Sequence, residues 1–138
     1  REPRKNSIPF GTWKLNVAKS KYSPGPAPKS QTVTFAAAGQ GIKVSTEGVA
    51  ADGSKTAQSY TANYDGKDVV LTGSATSDHV SLKRINATTV ERTDKKAGKV
   101  VQTLTRVVSA DGKTMTITTK GTNAQGQAVN NIAVYDKQ

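Results

Sequence analysis

Arg84, Arg92 and Arg106 are the residues best placed to do chemistry, because each recurs at two-residue spacing with apolar side chains. In a strand, residues i and i+2 share a face. Val80 and Leu82 therefore share one with Arg84, Val90 with Arg92, and Leu104 and Val108 with Arg106. The lysines mostly take the other parity: Lys14 opposes Trp13, and Lys83 opposes Leu82. A guanidinium keeps its charge, so one turned inward must pair with an acid or bind an anion. Acids at inward parity are scarce, and Glu91 and Asp94 are expected on the face opposite Arg92. Arginines facing an apolar hollow would hold a carboxylate, sulfate or phosphate while the lining takes the ligand's tail. The competing reading places them at strand ends in solvent, or stacks one on Trp13. Tyr60, Tyr64, Tyr135 and Tyr22 are further donors, although a strand tyrosine more often packs its ring and wets its hydroxyl.

The remaining reactive groups are few. His79 is the only histidine; it opens a strand at a parity opposite to Val80. General acid–base chemistry needs a positioned neighbour, and the adjacent Asp78 is expected to point to the other face. With no cysteine there is no disulfide, iron–sulfur cluster or thiolate zinc site, and one histidine excludes a multi-histidine metal site. No nucleophile elbow, zincin helix, Walker loop or dinucleotide fingerprint occurs, and Gly39-Gln40-Gly41 reads as a turn. No catalytic residue, metal or cofactor is therefore assigned, and enzymatic chemistry has little support.

These residues sit on strands. Of 138 residues 34% are hydrophobic, enough for one domain with a modest core. Short alternating runs rich in Val, Ile, Thr and Tyr predict about ten strands: Phe10–Asn16, Gln31–Ala37, Ile42–Gly48, Thr56–Tyr64, Lys67–Thr72, His79–Ile85, Thr88–Asp94, Val100–Val108, Thr114–Lys120 and Val129–Asp136. Asp52-Gly53, Asp65-Gly66, Asp111-Gly112 and Ala97-Gly98 mark turns. No segment holds a helical period beyond one turn. The stretch 19–30 alternates Pro24, Pro26 and Pro28, which predicts an extended, polyproline-like loop. Residues 1–8 are expected to form a flexible N-terminal segment, and 9–138 a single domain. Strands at such even spacing predict an all-β fold, an antiparallel up-and-down barrel of about 8–10 strands; a two-sheet sandwich is the alternative.

The net charge of +10 comes from fifteen lysines and five arginines against ten acids. The lysines are scattered, about one per strand or turn, and Phe10, Trp13 and Phe35 sit at apolar strand positions. A nucleic-acid binder would cluster cations and interleave aromatics, so specific nucleic-acid recognition is not predicted. A solvated, edge-protecting surface fits better, with weak non-specific attraction to polyanions. No apolar run is long enough for a membrane-spanning helix. The sequence starts at Arg1, which fits a processed precursor, and a secreted or periplasmic setting is the expectation.

Phe10-Gly11-Thr12-Trp13-Lys14-Leu15 resembles the opening strand of the calycin superfamily, the lipocalins and fatty-acid-binding proteins. Val134-Tyr135-Asp136-Lys137 resembles the last strand of the fatty-acid-binding branch, and Thr103-Leu104-Thr105-Arg106 before Asp111-Gly112-Lys113 its penultimate hairpin. The general style is also similar to bacterial exported lipocalin-like proteins of unassigned function. The resemblance implies a closed barrel with Gly11 and Trp13 as its structural signature and an inward Arg106 paired with Tyr135. Two departures stand out. The helical lid of the fatty-acid-binding branch is missing, only residues 19–30 lying in its place, and that branch's second carboxylate-binding arginine falls on Ala133. The expected function is a small-molecule binding protein with an apolar or amphipathic, possibly anionic, ligand held by Arg106, Tyr135, Arg84, Arg92, Tyr60 and Tyr64. The rivals are an interaction module or inhibitor with a filled barrel, and an enzyme working at the barrel mouth with His79.

Overall fold

Turn chemistry sets the meander. In the computed structural model, which describes residues 9–138, the carboxylates of Asp52, Asp65 and Asp111 each accept from the backbone N–H two residues on, at 2.8, 3.0 and 3.0 Å. The glycine after each aspartate takes a positive φ, and Ala97 and Gly98 do so together at +51° and +81°. These local bonds let the chain reverse without leaving backbone groups unpaired.

Eleven strands result: β1 (Gly11–Leu15), β2 (Lys21–Ser23), β3 (Ser30–Ala38), β4 (Gly41–Val49), β5 (Lys55–Ala62), β6 (Val69–Val70), β7 (His79–Asn86), β8 (Thr89–Lys96), β9 (Lys99–Val108), β10 (Thr114–Thr122) and β11 (Ala128–Lys137). They form one antiparallel sheet in the order β5-β4-β3-β1-β11-β10-β9-β8-β7-β6. The sheet curls until its two edges meet. Ser59 of β5 and Thr72 exchange both backbone hydrogen bonds at 3.0 Å, and just after β5 Asp65 bridges Lys83 of β7, with Gly66 N–H donating to Leu82 O at 2.9 Å; these short contacts shut the seam. The architecture is therefore a nearly closed antiparallel barrel without a helical lid, as the strand spacing predicts.

Two local expectations need correction. The run Lys67–Thr72 is not one strand: Val69 and Val70 pair with Val80 and His79 of β7, and Thr72 then crosses to Ser59 on the other edge. It is short because it serves both sides of the seam. The stretch 19–30 is not wholly a loop either. A 3-10 turn, Val17–Lys19, leads into β2, which lies on β11 with Tyr22 opposite Asn131. The hydroxyl of Ser20 accepts from Val134 N–H at 2.9 Å and so pins this segment to β11. The segment 1–8 lies outside the described residues.

Strand parity sorts the side chains as expected. Trp13, Ile42, Val80, Leu82 and Met115 are buried within the barrel, whereas Lys14, Lys43, Lys83 and Lys120 are exposed outside. The registers align the inward positions into rows across the sheet. One row reads Arg84, Val90, Arg106, Ile117, Ala133; its neighbour reads Leu82, Arg92, Leu104, Thr119, Asn131. Two arginines are thereby set diagonally on adjacent strands of an otherwise largely apolar wall.

Candidate functional site

Trp13 closes one end of the barrel. Its indole N–H donates to Pro9 O at 2.7 Å, and the Lys137 ammonium lies 4.9 Å from the ring. Lys137 also donates to Phe10 O, capping the same end. Gly11 is required there: its φ is +112°, and a Cβ would come within 2.9 Å of Lys137 Cε.

Beyond Trp13 the strands enclose a cavity of about 300 Å³, at the small end of ligand cavities in general. Val33, Phe35, Leu82, Val90, Leu104 and Ile117 supply apolar surface, and Gln31, Gln58, Gln102 and Asn131 supply uncharged polar groups. Both Arg92 and Arg106 line it, as do Tyr60, Tyr135 and Tyr22. The described residues thus leave part of the barrel interior open.

The two arginines differ in what neutralises them. Arg92 Nε donates to Asp94 Oδ1 at 2.6 Å and Nη2 to Oδ2 at 3.1 Å, a two-pronged ion pair. Gln102 Nε2 donates to the same carboxylate at 2.7 Å, and Asp94 is only 1% exposed. The guanidinium also lies 5.0 Å from the Tyr60 ring. Burial works against its charge, but Tyr60 and Asp94 more than offset this and hold its pKa above the ordinary value. The expectation that Asp94 opposes Arg92 is corrected: the two are i and i+2 on β8 and share the inner face, while Glu91 is exposed outside.

Arg106 has no such partner. It is 7% exposed, its guanidinium lies 4.7 Å from the Phe35 ring, and its one side-chain hydrogen bond is a long one, 3.5 Å, from Nη2 to Tyr64 Oη. Among the described residues no carboxylate forms an ion pair with it. The cavity therefore carries one neutralised guanidinium and one that is not.

Tyr135 is 2% exposed and accepts from Gln31 Nε2 at 2.7 Å. Burial raises its pKa above the ordinary phenol value, with the Gln31 bond and the Arg92 charge acting the other way. The pKa of Tyr22, half-buried beside it, is also raised, by burial first and then by its neighbour Tyr135. Ala133, where the resemblance places an arginine, is buried and lines the cavity without a charge.

Arg84 and Tyr64 stand apart from these groups. Arg84 stacks on the Tyr64 ring at 4.1 Å, and the pair lines a separate cleft of about 10 Å³ beside Pro9, which Arg106 also borders. His79 sits on the outer wall with 45% of its side chain exposed. Its Nδ1 is 2.9 Å from Asp78 Oδ1, so the expectation of opposed faces fails: Asp78 precedes β7, where strand alternation does not apply. The Asp78 carboxyl is held below its usual range by a bond from Ala97 N–H and then by His79. A histidine in this position cannot serve an enzyme acting within the cavity.

Sequence reasoning put Asp94 on the wrong face and did not single out Gln31 or Gln102. The two-residue spacing of Asp94 from Arg92, and of Gln102 from Leu104, was the available signal.

No protein-family pattern and no curated protein matches the chain. Solved structures do. Zebrafish ileal bile acid-binding protein complexed with cholic acid superposes with a TM-score of 0.58 at 14% identity, covering 96% of this chain and 100% of that one. Rv2717c from M. tuberculosis gives 0.58 at 16% identity, covering 96% and 94%. A redesigned β-barrel gives 0.55 at 14% identity, covering 98% and 96%. At such identities the likeness concerns the fold, and it agrees with the topology described above: the chain shares the arrangement of antiparallel strands seen in these fatty-acid-binding-protein-like calycin barrels, with no helical lid among the described residues.

Proposed function

We propose that this protein binds a small amphipathic molecule with an anionic head, held by Arg106 inside the barrel. One observation carries the reading: a buried guanidinium borders a cavity of mixed apolar and polar lining and, among the described residues, has no acid partner, while its neighbour Arg92 has one. Burying an uncompensated charge is costly, and a ligand carboxylate or sulfonate would supply the missing charge-assisted hydrogen bonds. Tyr135 is placed to bound the same space, and Phe35, Leu104 and Ile117 suit a hydrocarbon tail. The cavity of about 300 Å³ favours a short or compact tail. The likeness to a barrel solved with cholic acid supports a rigid, amphipathic anion as one candidate class.

The test is displacement of a bound anilinonaphthalene sulfonate probe by decanoate and by decanol. Decanoate should compete at least about tenfold better, the size of one charged hydrogen bond. Arg106→Gln should abolish that preference while leaving decanol's competition largely intact. Equal competition by the two in the unaltered protein would overturn the reading.

A further inference from the structure

The cavity is sorted along its axis. The strands alternate in direction, so the end where β1 begins is also where β3, β5, β9 and β11 finish and where β4 and β10 start. On each of the last six, the cavity-lining side chain nearer that end is apolar, aromatic or Arg106, and the one farther from it is an amide or a hydroxyl. Phe35 gives way to Gln31, Val44 to Thr46, Tyr60 to Gln58, Arg106 to Gln102, Ile117 to Thr119 and Tyr135 to Asn131. Nor are these groups simply a solvated rim. Gln31 bonds to buried Tyr135, Gln102 bonds to buried Asp94, and Thr119 is only 9% exposed. Thr46 and Gln58 pair in the β4–β5 register, both are partly buried, and among the described residues neither side chain has a hydrogen-bond partner.

We propose that the ligand is polar at both ends: an acid whose chain also bears a hydroxyl, taken up by Thr46 and Gln58. This rests on Arg106 holding the anionic head, and it specifies the other end of the same molecule. A bare hydrocarbon end at these positions would take water from them and return no hydrogen bond, a cost for each group. A hydroxyl both donates and accepts, and so does the primary amide of Gln58, with Thr46 adding a second hydroxyl. The spacing sets where the ligand's hydroxyl sits. The Arg106 guanidinium lies over Phe35, whose register partner is Val44; Thr46 is the next inward residue on β4, about 7 Å along the strand. The hydroxyl is therefore several carbons from the acid group.

The experiment uses the same displacement assay, pairing octanoate with ω-hydroxyoctanoate and decanoate with ω-hydroxydecanoate. In at least one pair the hydroxy acid should compete at least about threefold better than its parent, within what one neutral hydrogen bond supplies. Thr46→Val combined with Gln58→Leu should erase that advantage, with Trp13 fluorescence unchanged as a check on the fold. Gln58→Leu alone should cut it by at least about twofold. No advantage in either pair, while decanoate still outcompetes decanol, would overturn this proposal and leave the anion at Arg106 standing. Loss of the preference for decanoate over decanol would overturn both. An advantage that survives in the double variant would place the hydroxyl elsewhere, and that too overturns the proposal.

Discussion

Arg92 and Arg106 occupy neighbouring rows of one wall, yet a single acidic side chain gives them different roles. Asp94 neutralises Arg92 and is itself fully bonded, by Arg92 twice and by Gln102 once. Removing one partner of a buried pair leaves a charge unsatisfied, typically a loss of about 3–5 kcal/mol, whereas replacing both with apolar groups is often nearly neutral. Asp94→Asn should therefore lower stability by about 3 kcal/mol in urea titration. Arg92→Met combined with Asp94→Leu should recover most of that loss; an Asp94→Asn variant as stable as the parent would show the pair to be idle. The inward arginines were legible from strand parity, because a two-residue period is all they required. The counter-ion was equally legible two positions from Arg92, and only a miscounted face hid it. Its bond from Gln102, by contrast, depends on the pairing of β8 with β9, which single-strand parity does not specify.

At the scale of the elements, the seam is the weak point. The ladders along most of the sheet run for several residues, but β5 and the chain just after it meet the other edge through two isolated bridges, Ser59–Thr72 and Asp65–Lys83. Gly73 permits that approach: its φ is +94°, and a Cβ there would lie 2.0 Å from Ala57 O. Gly53, in an open turn at φ +89°, has nothing within 4 Å. Gly73→Ala should thus cost about 2–4 kcal/mol, and Gly53→Ala about 1–2, the conformational part alone. Chemical denaturation of the two variants checks this, and similar losses would mean the seam contributes nothing extra. Most strands could be placed from sequence because Asp-Gly turns punctuate them and β-branched residues alternate between. The stretch 67–72 could not, since its chain changes partners midway. Neither could β2, because the prolines that follow it mask three residues whose pairing is set by the distant β11.

For the whole molecule, enclosure sets the alkaline limit. Burial raises the phenol pKa of both Tyr22 and Tyr135, so the native state keeps protons that the unfolded chain releases near pH 10. A folded-state pKa above the unfolded one means stability present at neutral pH is lost as pH climbs past about 10. Phenolate absorbance should show two late-ionising groups, one vanishing in Tyr22→Phe and the other in Tyr135→Phe, with urea midpoints falling over the same range. Ionisation of Tyr22 and Tyr135 at the usual pH would contradict the buried placement. The barrel itself could be read from the first strand, the last and the turn rhythm. The void could not, because small side chains such as Ala133 leave open whether neighbours collapse inward or remain apart.

Among the described residues most lysines lie outside the barrel while Arg92 and Arg106 line its cavity, and that division has a practical corollary. Amine-directed acylation would neutralise the fifteen lysines and reverse the sign of the net charge of +10, yet leave Arg92 and Arg106 chemically untouched. Attraction to bulk polyanions and selectivity inside the barrel are therefore separable properties, carried by two different functional groups in one small protein.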